Sequence, residues 1–493
     1  MQHATHEIPV GANHDSPVHN VRFLGILAAF LCVLSAAPSD VRAEDWPAYR
    51  HDNRRSGITG ETLELPAGKV WEYRSSEPPQ TAWAGPAKWD SYANIRKLKS
   101  MRNFDPVFHV TIAQGHVFFG SSVDDAVHCL DVSTGQEKWA FFADGPVRLP
   151  PAFDEGRLYF GSDDGCVYCV EAESGDLAWK HCAVPEARQV PVNGKLTSLS
   201  PCRTGTLVQD ARVYFAASLL PWQKTYVCAI DAESGATEGI GLFRREYGQM
   251  AAQGPMLASS TKLYVSQGRQ APLAFDRISG HLLKSLGDSG FGGVFGLLTA
   301  DSVLVHGHGQ NHRAEGELRF FSPQEQDLLV TFPHATSIVI RDGIVYLHAD
   351  GQLQAFDRDT YVGLQGRIRK LQEDVKTWGE QKKKLGAEAK AAERQRLDEA
   401  IESARAQIGM LQERLPDTFL WRVPSDCPLE LILASDTLIA GGEDKVTAYE
   451  AATGREAWTA TVEGRAYGLA VSQGRLLVST DLGRIVCFSA VSN

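Results

Sequence analysis

The chain has 493 residues, a net charge of −11 at pH 7 and a pI of about 5.8. That balance argues against a nucleic-acid binder, which carries a basic footprint. With 45 Gly and 10 Trp, the composition suits an all-β array with many tight turns.

The first expected element is a secretory signal over residues 1–43. Arg22 precedes an apolar run from Phe23 to Ala37, too short to span a bilayer, and Val41-Arg42-Ala43 makes a small-residue cleavage site before Glu44. The leader ahead of it is long, so a start nearer Val21 is an alternative. Leu31 before Cys32 is bulky, which disfavours lipid attachment there. No other stretch is apolar enough to span a bilayer. The mature chain is therefore expected to be periplasmic or extracellular.

A repeating phrase follows. Residues 117–139 read VFFGSSVDDAVHCLDVSTGQEKW, and residues 158–179 read LYFGSDDGCVYCVEAESGDLAW. Fainter copies occupy 213–235, 263–280, 345–359, 438–458 and 476–490. Such a period predicts a radial or solenoid array. Val127-His128-Cys129-Leu130 and Val167-Tyr168-Cys169-Val170 read as strands. An acidic residue then precedes Gly by four: Asp131 and Gly135, Glu171 and Gly175, Asp231 and Gly235, Asp276 and Gly280, Glu450 and Gly454. Gly at that place supplies a positive φ for a tight turn. Trp139, Trp179 and Trp458 follow four residues later. The turn markers Asp131, Glu171, Asp231, Asp276, Ser322, Asp357, Glu450 and Ser489 define eight units. The last unit lacks a fourth strand, which Lys69-Val70-Trp71-Glu72-Tyr73 can supply. The expected fold is all-β: an eight-bladed β-propeller of four-stranded antiparallel blades over 44–361 and 416–493, its ring closed by the N-terminal strand. Seven blades are the alternative if residues 294–332 form something else.

The pattern GSxDGxVYxxDAxTGxxxW resembles the pyrroloquinoline-quinone (PQQ) repeat of quinoprotein-like propellers. That superfamily includes quinoprotein alcohol dehydrogenases and the propeller of the outer-membrane protein assembly factor. The opening from Asp45-Trp46-Pro47-Ala48-Tyr49-Arg50 to Gly57 resembles the lead-in of secreted, planctomycete-type PQQ-like repeat proteins. The resemblance covers roughly 45–361 and 416–493. It implies the fold but no single activity. The chain lacks the adjacent cysteines that form the vicinal disulfide of quinoprotein dehydrogenases, and it offers no set of residues to grip a quinone and calcium. No cofactor is therefore expected; PQQ with calcium belongs only to an oxidoreductase alternative.

Residues 362–415 interrupt the repeat. Leu364, Ile368, Leu371, Val375, Trp378 and Leu385 keep a 4-3 spacing, as do Leu397, Ile401, Ala404, Ile408, Leu411 and Leu415. Both stretches are rich in Lys, Arg, Glu, Gln and Ala, which predicts an inserted antiparallel α-helical coiled-coil hairpin turning near Gly386. It replaces the turn between a third strand (Leu353–Asp357) and a fourth (Phe419–Arg422).

In a four-stranded meander, first and third turns share one end, while second turns and crossings share the other. The arm leaves from the first end. The long segments 74–104, 184–202, 218–225 and 306–316 fall on the second, where a ligand site is expected. Trp83, Trp89 and Trp222 are candidates for stacking on a ring or sugar, or for packing loop against blade. Arg188, Arg203 and Arg269 are candidates for gripping an anion, or for surface or inter-blade ion pairs. His306, His308 and His312 form H-x-H-x3-H, a weak metal candidate whose one carboxylate partner is Glu315. Asp124-Asp125 and Asp163-Asp164-Gly165 read as turn formers. Cys129, Cys169 and Cys487 share a slot that Ala229, Ala274, Ala355 and Ala448 fill elsewhere, so it wants a small buried residue. Cys182 and Cys202 flank one loop and are a candidate disulfide.

The leading expectation is a secreted, non-catalytic propeller that binds a protein or glycan partner in the cell envelope. The alternatives are a PQQ-dependent oxidoreductase and a carbohydrate-binding or carbohydrate-active propeller.

Overall fold

The computed structural model describes residues 44–83, 104–184, 188–192, 194–268, 270–287, 292–307, 317–322, 328–385 and 391–491. The expected signal over 1–43 lies outside them. Among the described residues, six antiparallel four-stranded sheets and one eight-stranded sheet carry the repeats. The larger sheet joins the last two repeats through the long strand Glu456–Ser472. The weakest repeat by sequence is also a full sheet: Phe295–Leu298, Leu304–Gly307, Glu317–Phe321 and Leu328–Pro333. A separate hairpin, Gln189–Val192 with Lys195–Ser198, lies in one crossing.

Five repeats close this turn with the same backbone bond from the glycine amide to the carbonyl of the acidic residue. At the first, the Asp131 carboxylate accepts from the Ser133 and Thr134 amides, and the Gly135 amide donates to the Asp131 carbonyl at 2.8 Å. Gly135 has φ +69°, and a Cβ there would lie 2.6 Å from the Trp71 ring. That clash reveals the packing rule: the fourth-strand Trp of one repeat covers the turn of the next. Trp139 covers Gly175, Trp179 covers Gly235 and Trp421 covers Gly454. The indole Nε1 of each donates to a backbone carbonyl beside that turn, at Val132 for Trp71, Ala172 for Trp139, Ala232 for Trp179 and Ala451 for Trp421. The small-residue slot has the same origin. Cys129, Cys169, Ala355, Ala448 and Cys487 stand directly opposite Trp139, Trp179, Trp421, Trp458 and Trp71. A large ring on one strand leaves room only for a small partner. Burial first of all pushes the Cys129, Cys169 and Cys487 thiols up to about 12, so they remain protonated packing groups.

The strand expected at Lys69–Tyr73 runs from Ala67 to Arg74 and pairs antiparallel with Arg484–Ala490. Ahead of it, residues 44–59 form a belt. The belt bonds to the first strand of every repeat in turn: Trp46 to Ile112, Pro47 to Phe153, Asn53 to Val208 and Ala258, Arg54 to Leu298, Arg50 to Ile338 and Leu431, Gly57 to Leu433, and Glu44 to Ser472. Arg50 is buried, ion-paired with Glu430 and set 5.2 Å from the Phe295 ring centroid. Arg55 is buried too and donates to the Met256, Tyr49 and Asp52 carbonyls.

The helices are α1 (Arg358–Lys384) and α2 (Ala391–Arg414). At 1.5 Å per residue they extend about 40 and 36 Å. They run antiparallel, with Leu364 and Ile368 against Leu411 at the base and Lys382 paired to Asp398 toward the tip. Gly386 lies outside the described residues. α1 starts four residues before the expected 362. Asp357, the turn marker of its repeat, accepts from the Thr360 amide at 2.8 Å and so caps a helix instead of closing a turn. Burial falls from Leu364 and Ile368 at the base to half-buried Val375 and Trp378.

Cys182 bonds to Cys166, its cross-strand neighbour, while Cys202 is a buried free thiol. The candidate Cys182–Cys202 bridge is therefore corrected. Proximity across a strand pair, which spacing along the chain does not display, decides the pairing.

Candidate functional site

Second turns and crossings meet at the end of the sheets opposite the arm. There the described residues build one buried polar cluster, in which Arg203 Nη1 and Asp105 Oδ1 have no hydrogen-bond partner among them. Asp163, 1 % exposed, projects from the second turn of its repeat. Its Oδ2 accepts from Arg148 Nε and from Arg203 Nη2, each at 2.7 Å, and its Oδ1 accepts from Arg203 Nε at 2.8 Å. Arg148 Nη1 donates to Asp105 Oδ2 at 2.8 Å and to the Gln80 carbonyl at 2.7 Å. The Arg203 guanidinium carbon lies 5.4 Å from the Trp83 ring centroid. Trp83 Nε1 donates to Gln253 Oε1 at 3.0 Å.

Two cations and two anions thus tie together three crossings and one second turn, and the Trp83–Gln253 bond adds a fourth crossing. Burial pushes the Asp163 carboxyl upward, but the two guanidinium groups overrule it and hold it below the usual carboxylate range. Asp105 is bonded to Arg148 alone and feels Arg203 more weakly, and burial wins, raising its carboxyl. Burial would lower Arg148, yet the two carboxylates hold it above its ordinary value. Charges so deep are retained only when paired. The cluster can lock loop geometry; its arginines are committed to carboxylates rather than offered to an anion.

Of the residues singled out by sequence, Trp83 and Arg203 belong to this cluster. Arg203 is fully buried and ion-paired to Asp163 of the preceding repeat, which fits the expected inter-blade ion pair and not an open anion grip. Arg188 is exposed, and Trp222, 72 % exposed, stands on the second-turn loop of its repeat. Among the described residues neither is bonded or ion-paired to the cluster. His306 is 2 % exposed on its strand, opposite Arg319. Trp89, Arg269, His308, His312 and Glu315 lie outside the described residues. Among those described, no group of three or more His, Cys, Asp or Glu is placed to hold a metal ion.

The acidic pairs do more than make turns. Asp124 Oδ2 lies 3.0 Å from His128 Nε2, Asp125 pairs with Lys195, and Asp164 accepts from Tyr168 Oη at 2.5 Å. The sequence reading missed Asp105, Arg148 and Asp163 as partners of Arg203. A signal was present. Phe104-Asp105-Pro106, Val147-Arg148-Leu149 and Pro201-Cys202-Arg203 each set one charge among apolar residues or proline. A lone charge in such a context calls for a buried partner.

The family model described as outer membrane protein assembly factor BamB matches residues 68–360 and 419–493. The chain belongs to this family. Both matched segments are repeat, and the gap between them is the helical arm with its flanks. The chain is accordingly a PQQ-like propeller repeat protein. No curated protein matches it significantly. Among solved structures, quinohemoprotein alcohol dehydrogenase from Comamonas testosteroni is similar at 11 % identity and a TM-score of 0.56, covering 91 % of this chain and 81 % of that one. A europium-containing methanol dehydrogenase is similar at 10 % identity and 0.52, covering 88 % and 89 %. BamB from Moraxella catarrhalis aligns at 11 % identity and 0.48, covering 86 % and 100 %. At such identities the likeness to the two dehydrogenases is one of fold.

Proposed function

We propose that the chain is a binding scaffold of the cell envelope: an eight-bladed, closed propeller that docks a protein partner through its helical arm. One observation carries this reading. The arm is inserted between two strands, Gln352–Asp357 and Phe419–Pro424, that remain paired from Gln352 with Pro424 to Phe356 with Phe419. A repeat that needs only a short turn there instead carries two helices, whose apolar residues are spent mainly on each other. Support for the closed ring comes from the Ala67–Arg74 pairing with the last repeat and from the belt's bonds to all eight first strands. The family's description as an assembly factor is of the same kind. Among the described residues no helix is long and apolar enough to cross a membrane. The envelope location rests on a signal cleaved after Ala43.

Replacing residues 363–414 by a short Gly-Ser linker tests the proposal. Arg358, ion-paired to Asp301, and Tyr361, packed on Phe332 and Phe356, stay in place. The expected product is a folded propeller with lost helical circular dichroism and an unchanged melting temperature. In cells it should no longer co-migrate with the large envelope complex expected for the parent. An unfolded product makes the arm structural, and an unchanged complex removes the docking role.

The second reading, a PQQ-dependent oxidoreductase, draws on the dehydrogenase neighbours. A tricarboxylated quinone needs free cations, and the described residues fit it poorly, because Arg148 and Arg203 are already bound to Asp163. Mixing the protein with PQQ and Ca²⁺ decides: a thermal shift or absorbance change supports the enzyme reading, and neither appears under the scaffold reading. A glycan platform of several tryptophans is not supported, since Trp83 is engaged by Arg203 and Gln253.

A further inference from the structure

Glu44 opens the belt, and its polar groups are engaged on every side. Its carbonyl accepts from Ser472 Oγ at 2.8 Å. Its Oε2 accepts from Thr59 Oγ1 and from the Gly60 amide, each at 2.7 Å, and its Oε1 lies 3.2 Å from His51 Nε2. Its backbone nitrogen donates to Glu61 Oε1. Glu61 is itself anchored, its Oε2 accepting from the Gly474 amide at 3.2 Å. Asp45 is next along the chain and accepts from the Gln114 amide. Burial and then the Glu61 charge push the Asp45 carboxyl upward. One backbone nitrogen thus faces the Glu61 carboxylate, whose negative charge also reaches Asp45. Among the described residues the basic group paired with Glu44 is His51, while an Arg475 guanidinium nitrogen donates to the Gln473 carbonyl. A neutral amide meets little of that negative charge; an ammonium would meet it fully.

We propose that Glu61 is the receptor for an α-ammonium group at Glu44, created by hydrolysis of the Ala43–Glu44 peptide bond. Water adds across the amide, leaving a carboxylate on Ala43 and an amine on Glu44 that takes up a proton at neutral pH. The peptidase belongs to the class that cleaves after small residues. The proposal rests on the reading of residues 1–43 as a cleaved signal. Its consequence is that processing turns an amide–carboxylate hydrogen bond, with one charged partner, into an ion pair with two, where the belt meets Ser472 and Gly474 of the last repeat. The mature N-terminus becomes part of the closure, a case of backbone-amine capture.

Two measurements keep the two claims apart. N-terminal sequencing of the exported protein should begin at Glu44; any other start overturns the cleavage site. Independently, chain 44–493 with a free Glu44 amine is acylated across a pH series. A free α-amine ordinarily titrates at about 7.7–8.0. The expected value lies above that range by roughly half to one unit, as suits an exposed pair, and it returns to the ordinary range in E61Q. E61D, which keeps the charge, should retain part of the shift and replaces E61Q as the informative variant if that one fails to fold. Chain 42–493, whose amine lies two residues upstream, should titrate ordinarily. An ordinary value in 44–493, or a raised value that survives in E61Q, overturns the receptor role of Glu61.

Discussion

His128 shows how a single residue acquires a role from its neighbours. It lies in the strand Ala126–Asp131, buried and stacked on Phe119, with Tyr73 of the closing strand on another side. Burial would lower its pKa, but Asp124 at 3.0 Å and Glu137 at 2.8 Å overrule it and raise the pKa above the ordinary value. The unfolded imidazole titrates near 6.5. A raised folded value means that this stabilisation is complete below about pH 6.5 and is lost as pH rises through the folded value. Asp124 mirrors it. Burial raises that carboxyl, His128 and Ser121 outweigh burial, and it is held at about 2. Its contribution is present above the unfolded value of about 3.9 and fades as pH falls toward 2. His109 works the other way: burial first, then the Arg50 charge, push it down to about 3, so its neutral form opposes acidification. Subtracting the H128Q melting curve from the parent's, between pH 5.5 and 9, should isolate a stabilisation that declines with rising pH; a flat difference refutes the assignment. Arg203 is the second case. Truncation in R203A leaves Asp163 buried with half its partners, and the expected cost is about 3–5 kcal/mol in chemical denaturation. A cost below about 1 kcal/mol would mean water enters and replaces the guanidinium. That Arg203 is special was legible in the chain; that its partner is Asp163 was not, because the two lie 40 residues apart.

At the scale of elements, the repeat is a set of interlocking instructions. The acidic residue, the glycine, the small slot and the tryptophan each look like local turn or strand chemistry. In the structure they form one joint, with the ring of one repeat lying on the glycine of the next. Two glycines of similar conformation separate the local part from the tertiary part. Gly156 has φ +84° and nothing within 4 Å of an added Cβ. G156A should cost only backbone strain, roughly 1–2 kcal/mol. Gly175 has φ +76°, but an added Cβ would lie 2.7 Å from Trp139. G175A should cost clearly more, on the order of 3–4 kcal/mol, because overpacking against a fixed ring adds to the strain. Equal losses by denaturant titration would mean that Trp139 moves freely. The arm follows the same grammar. The marker carboxylate accepts from the amide three residues ahead in both settings, Thr134 for Asp131 and Thr360 for Asp357, so one repeat position can start a turn or a helix. The heptads were legible because helix periodicity is a local property. The start at Arg358 was not, because an N-cap and a turn look alike in sequence.

Across the whole molecule, sheets are tied together by segments far apart in the chain. The belt residues Trp46, Arg50 and Arg55 are buried although they precede the first repeat. Arg50 bonds to residues 288 and 381 positions away. A chain beginning at Gly60 should therefore lose on the order of 5 kcal/mol, from an orphaned, partly buried Glu430 and the space left by Trp46. Melting temperature and protease resistance will register the loss; a chain of unchanged stability would show that the belt merely rests on the sheets. By itself the sequence determined the repeat, its strands and turns, the strand that completes the last sheet and the helical pair. All of these are written in periodicities and small-residue slots that act over a few residues. Only the tertiary structure decided that Cys166 takes Cys182, that Arg203 is buried against Asp163, and that the opening segment touches every first strand. Those outcomes depend on which surfaces meet when the sheets pack. Packing at native density selects partners by shape and charge across hundreds of residues, a selection that no local pattern records.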